Sequence, residues 1–255
     1  MGAESAETRT VGTMGDAELP FRPGTVSWGV LRRPVFLLGG MNALLLQLAE
    51  PRVAAGIVEH SDFANRIFDR LRHTVDVMVE IGLGDPSDAD RALGEMARAH
   101  RGVEGTMPDG STYHAGDPEL RLWVMATLIA TVLEVEARYV GEFDESDRSR
   151  YYEESLEVAN VLGVGQPPPD LSAFRRYMSR RVDALEVTAD ARHVARHVLH
   201  PRIGVPPALF APLRLVTIDL LPPRLRAGYR LLLSPGRNRW IRRMQSMSRK
   251  TTWAT

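Results

Sequence analysis

Residues 61–81, SDFANRIFDRLRHTVDVMVEI, decide how the chain is read. At about 100° per residue, Phe63, Ile67, Leu71, Val77, Met78 and Ile81 fall within about 120° of one another. That spacing predicts an amphipathic helix from Ser61 to Ile81 with one buried face. Ser61 is its expected N-cap, and Asp62 stands in the first turn, where a carboxylate meets the positive end of the helix. Arg70 and Thr74 lie in the middle of the apolar arc, and His73 lies about 60° to one side of Arg70. A guanidinium cannot shed its charge, so on a core face it calls for an anion. Candidates are a carboxylate of the chain, such as Glu59, Glu80 or Glu104, or a carboxylate or phosphate of a bound cofactor.

Upstream, Arg32-Arg33 precede an apolar run through Leu48, which resembles a twin-arginine export signal. Asn42 and Gln47 interrupt the run and it is too short to span a bilayer, so a buried first core helix over about 39–49 is expected. Pro51 starts a further helix ending at His60. Downstream, Gly82 and Gly84 stop the central helix and Pro86-Ser87 restart the chain. In the next helix, about 88–101, Leu93, Met96 and His100 recur at i, i+3 and i+7, so His100 is expected to point inward. GTMPDGSTYHAGD reads as a loop turning at Asp109-Gly110.

Asp117-Pro118-Glu119 is a strong helix start, and LRLWVMATLIATVLEVEARYV behind it is the most apolar helix. Arg121 and Glu134 leave it too short for a membrane span, so it reads as the central helix of a bundle. Ser146, Asp170 and Thr188 open three more helices, and Pro206-Pro207 and Pro222-Pro223 bracket another. A basic helix, SPGRNRWIRRMQSMSRK, follows. No stretch alternates with period two for long enough to predict a strand. The expected fold is all-α: a disordered arm over 1–20, then a single globular bundle of about eight to ten helices over 21–250.

Charges balance, 32 basic against 32 acidic, which argues against a nucleic-acid binder. Lys250 is the only lysine, which excludes a buried Schiff-base lysine and a P-loop lysine. Cysteine is absent, so thiolate nucleophiles, disulfides, Fe–S clusters and thiolate-ligated haem are excluded. A cytoplasmic location fits that composition.

Six stretches occur in a telling order: LLGGMNALLLQLAEPRVAAGIVEHSDF, RLRHT, ARAHRGVEG, YHAGDPELRLWV, RYYEES and LLPPRLRAGY. The set resembles the MpaB-type oxygenase family, which includes the rubber oxygenases called latex clearing proteins, over about residues 25–245. The resemblance implies an all-helical domain holding one haem b between core helices, with iron and O2 acting on a small or lipophilic organic substrate. It places His100, in ARAHRGVEG, at the proximal iron position. Arg70 and Thr74, in RLRHT, match the Arg and Thr of an R-x-x-K-T motif on the opposite side, and His73 stands where rubber oxygenases have lysine. The implied roles are iron ligation by His100, an oxygen-side function for His73 and Thr74, and pairing of Arg70 with a propionate or a polarised oxygen species. No match to the catalytic glutamate of rubber oxygenases is found.

A non-catalytic helical protein holding a hydrophobic ligand in the same cavity is the alternative. His193, His197 and His200, at i, i+4 and i+7, carry a third and weaker idea, a metal site, although no H-E-x-x-H supplies a base. In the terminal helix Arg237, Arg239, Arg242, Arg243, Arg249 and Lys250 interleave with Trp240, Ile241, Met244 and Met247. Packing of its apolar side on the bundle is the default, and peripheral contact with an anionic membrane is the other reading. Tyr151, Tyr152 and Glu154 read as ordinary bundle residues.

Overall fold

A computed structural model of the chain describes residues 21–61, 63–200 and 206–248; in the helix that begins at Phe63, the side chains of residues 63–71 lie outside the description. The 1–20 arm, Arg249 and Lys250 lie outside it too. The described residues form twelve α-helices: α1 (Val26–Leu31), α2 (Gly40–Leu48), α3 (Pro51–His60), α4 (Phe63–Leu83), α5 (Pro86–His100), α6 (Pro118–Val135), α7 (Glu145–Val161), α8 (Leu171–Ala184), α9 (Ala189–Leu199), α10 (Pro207–Leu220), α11 (Pro223–Gly228) and α12 (Pro235–Ser248). A 3-10 turn, Pro34–Gly39, leads into α2, and a π-helical turn, Glu136–Val140, ends α6. The all-α expectation holds. The helix count exceeds the expected eight to ten because α1 and α11, six residues each, are too short to show a periodicity.

The centre is the pair α2 and α6. Leu45 and Leu48 of α2 and Trp123 of α6 are fully buried, and α6 is apolar on every side, as a helix surrounded by others must be. The 3-10 turn, α3, α7, α9 and α10 pack around this pair. Close approach depends on glycine at Gly39, where a Cβ would overlap Thr131 Cγ2 of α6, and at Gly82, where it would overlap Phe21 and Leu31.

Helix starts follow the capping residues. Asp117 accepts from Glu119 N–H at 2.8 Å, Asp170 from Ala173 N–H at 2.7 Å and Thr188 from Ala191 N–H at 3.1 Å. Asp85 with Asp88, and Asp144 with Asp147, form reciprocal capping boxes. The second box starts α7 at Glu145, one residue before the expected Ser146. Ser61 departs from expectation: it is the extended residue that closes α3, and its buried Oγ makes no hydrogen bond among the described residues.

The loop after α5 contains a strand pair that the sequence did not announce, β1 (Glu104–Thr106) and β2 (Thr112–His114), antiparallel across the Asp109-Gly110 turn. Three residues per strand are too few for alternation to register. Tyr151 and Tyr152 are buried, Tyr152 donating to the Pro168 carbonyl at 2.6 Å. Glu154 accepts from the Val26 and Ser27 N–H groups at 3.1 and 2.7 Å, closing the start of α1 from across the bundle. The three residues of RYYEES therefore hold structure, as expected.

Candidate functional site

Between the 3-10 turn, α2, α4 and α6 lies a cleft of about 720 Å³, solvent-filled mouth included. Phe36 and Gly39 of the turn, Ala43, Leu44 and Gln47 of α2, Ile57 of α3, Thr74, Val75 and Met78 of α4, and Leu128, Thr131 and Val132 of α6 line it. The lining is apolar with a few hydroxyls and one amide. Gln47 Nε2 donates to Thr127 Oγ1 at 3.1 Å, and Thr127 in turn donates to the Val124 carbonyl at 2.6 Å. Behind the wall, Asn42 reaches Thr131 Oγ1 at 3.5 Å, and its buried Oδ1 has no partner among the described residues.

Helices α4 and α5 form an antiparallel hairpin joined through Gly84 and Asp85. At 1.5 Å rise per residue, the turn of α4 carrying Arg70 to Thr74 and the last turn of α5 carrying His100 both lie about 20 Å from that connection. The hairpin therefore sets the two predicted stretches level with each other. Thr74 is exposed at the cleft wall. The side chain of Arg70 lies outside the described residues.

His73 is exposed and is not part of the lining; on the helix it sits about 150° from the centre of the Thr74, Val75 and Met78 arc. His100 is likewise exposed, which corrects the inward expectation. The face was identified correctly, but its burial fades along α5, from Ala89, Ala92 and Leu93 at 0 to 2% exposure, through half-buried Met96, to the open last turn. There the His100 Nδ1 lies 2.7 Å from the Met96 carbonyl. A carbonyl can only accept, so Nδ1 donates there, and the bond satisfies a carbonyl at a helix end.

The hairpin loop beyond His100 is tied to α3. Tyr113 donates to Glu59 Oε2 at 2.5 Å, and His60 Nε2 lies 2.9 Å from the Glu104 carbonyl. Burial and the neighbouring Glu59 carboxylate push the Tyr113 hydroxyl up to about 12. On the far side of α6, Glu136 is 2% exposed at the start of the π-helical turn. Desolvation raises its carboxyl to about 7, because Arg33 pairs with Glu142 at 2.7 Å and reaches Glu136 only at 3.8 Å.

His193, His197 and His200 do not assemble as a metal site: among the described residues no three His, Asp or Glu groups converge. The helix ends at Leu199, so His200 leaves the shared face, and the His197 and His200 rings turn to carbonyls four residues back, at 3.1 and 3.3 Å. Arg196 occupies the Nδ1 side of His193 at 3.0 Å.

Gln47 and Thr131, the polar groups of the cleft wall beside Thr74, were not singled out by the sequence. The Gly39-Gly40 pair was the available signal, marking where α2 and α6 approach. No helix among the described residues is long and apolar enough to cross a membrane.

The chain is 29% identical over 205 residues to the uncharacterized protein Rv2237 of Mycobacterium tuberculosis, covering 77% of this chain and 80% of the relative. The same figures hold for the uncharacterized protein Mb2261 of Mycobacterium bovis. No solved structure matches it. The family model for the catalytic domain of ER-bound oxygenase mpaB/B' and rubber oxygenase matches residues 28–250, nearly the whole described bundle, and the chain belongs to that oxygenase family.

Proposed function

We propose that the protein is a haem b-dependent oxygenase or oxidase that acts with O2 on a small or lipophilic organic substrate. The observation that supports the reading is the match of the oxygenase family model to residues 28–250, with the α4–α5 hairpin pairing the helix of Arg70 and Thr74 with the helix of His100 and Thr74 at the wall of an apolar cleft. An imidazole and a guanidinium, the residue types the group would use, stand on these two paired helices. His100 would be the iron ligand, its Nδ1 donating to the Met96 carbonyl. Arg70 would neutralise a propionate, since a guanidinium on an apolar face needs an anion. Bound haem would supply the O2 chemistry.

The chain's own work in this reading is positioning and exclusion of water. Phe36, Leu44, Met78 and Leu128 hold the hydrocarbon part of the substrate, and Thr74 and Gln47 orient its polar end. His73, exposed on the same turn of α4, is the group that exchanges protons with solvent. A cytoplasmic site of action fits the cysteine-free composition. Peripheral membrane contact through the basic C-terminal helix fits a lipophilic substrate.

A second reading, a hydrophobic-ligand carrier without redox chemistry, is favoured by one observation: among the described residues, no histidine belongs to the cleft lining. Absorption spectroscopy of protein produced with a haem precursor, with iron analysis, separates the two. A Soret band near one haem per chain supports the oxygenase. Protein that stays colourless and iron-free after reconstitution with hemin leaves the carrier.

A further inference from the structure

We infer that the outward face of α12 is a docking surface for an anionic lipid bilayer. The inference deepens the membrane contact proposed above and rests on that part of the reading; it needs neither haem nor O2.

The neutral total charge conceals a strong polarity. Residues from Ala191 onward hold thirteen of the 32 basic residues and one of the 32 acidic ones. That single acid, Asp219, is spent internally: it accepts from Tyr139 Oη at 3.1 Å and Gln245 Nε2 at 2.9 Å, and Arg138 reaches it at 3.5 Å. Gln245 thereby fastens α12 to α10, and buried Ile241 with Met244 seats the helix on the bundle.

With that side fixed, helical geometry decides what faces away. Arg239 and Arg243 lie about 160° from Ile241, on either side of the outermost line, with Met247 and Trp240 adjoining Arg243. Arg237, Arg239, Arg242 and Arg243 are exposed, and none meets a carboxylate within ion-pair distance among the described residues. Met247 is 60% exposed, and Leu232, just before the helix, is 77% exposed. Guanidinium groups suit the phosphate level of a membrane, and indole, thioether and leucine suit the acyl boundary beneath it. A nucleic-acid surface would use the arginines but leave Leu232 and Met247 in water. Docking would also serve the cleft: α10 packs against both α12 and the 3-10 turn that supplies Phe36 and Gly39.

The test is co-sedimentation of the full chain with vesicles of phosphatidylcholine alone or doped with phosphatidylglycerol, beside binding to duplex DNA. The expected result is pelleting with the doped vesicles only, weakening as salt rises. Arg239→Glu with Arg243→Glu should reduce partitioning by at least about twentyfold, since each cation near an anionic surface is worth about fivefold. The matched pair Arg176→Glu with Arg180→Glu, exposed on α8, should change it little. Circular dichroism establishes that both variants fold. Trp240→Phe should remove most of the fluorescence blue shift that doped vesicles induce. Absence of pelleting, equal loss in both charge-reversed variants, or DNA binding that excess doped vesicles fail to displace would overturn the inference. Vesicle binding by colourless protein would leave it standing while the oxygenase reading falls.

Discussion

The α2–α6 pair and the α4–α5 hairpin are built on opposite principles. In the pair, apolar side chains are buried to 0 to 1% exposure at Met41, Leu45, Leu48 and Trp123, with Asn42 bonded to Thr131 and Gln47 to Thr127 between the helices. In the hairpin, the apolar seam of the described side chains, Val77, Ile81, Ala89, Ala92 and Leu93, lies near the connection between the helices, and α5 runs on to an exposed last turn at His100. A ligand is reached only from a surface that protein has not filled, and the last turn of α5 is such a surface.

The sharpest way to break this comparison is His100→Ala. Haem retention should be lost while helicity and thermal midpoint stay close to those of the parent, because an exposed last-turn residue carries little packing. Full haem occupancy in the variant would remove the ligand assignment. The converse is Leu45→Ala, expected to cost about 3–4 kcal/mol in denaturant unfolding, since a fully buried leucine leaves a cavity in the middle of the bundle. A cost below about 1 kcal/mol would mean that the core is not where it is placed here.

Glu136 sharpens the comparison from the core side. Its carboxyl is raised from 4.5 to about 7, so the folded state holds the proton more tightly than the unfolded chain. Its contribution is most favourable below about pH 4.5 and is lost as pH rises through about 7. Glu136→Gln should therefore change stability little at pH 4 and raise it by up to about 3 kcal/mol at pH 8. A uniform effect across that range would show that an unrecognised partner neutralises the carboxylate. The smallest effect is a ranking. Arg70→Ala should weaken haem binding by about tenfold, the loss of one charge-assisted contact, and Arg72→Ala by much less, because two positions so spaced stand about 160° apart around a helix. Equal effects in a hemin titration would cancel the argument from the helix face.

What was legible in the chain was local. Asp117, Asp170 and Thr188 announced their helices because a cap bonds to an N–H two or three residues away, whatever surrounds it. Ser61 misled for the complementary reason: a capping residue type stood beside two helices and closed the one before it. The all-round apolarity of α6 likewise fixed its central position before any contact was known.

The site was legible only in outline. The face of α5 bearing His100 followed from spacing, but its exposure depended on how far the neighbouring helices extend, which no periodicity contains. Gln47 and Thr131 became cleft residues because α2 and α6 turn those faces toward α4. The same division separates the polar charge layout, which residue order alone determined, from the outward strip of α12, which existed only once Gln245 met Asp219 and Ile241 was buried. Residue order acts through hydrogen bonds and rotations within a few residues, so it set the helices, their caps and their faces. Which faces meet is settled by packing among residues far apart in the chain, and it was that packing which opened the cleft and chose the surface left to solvent.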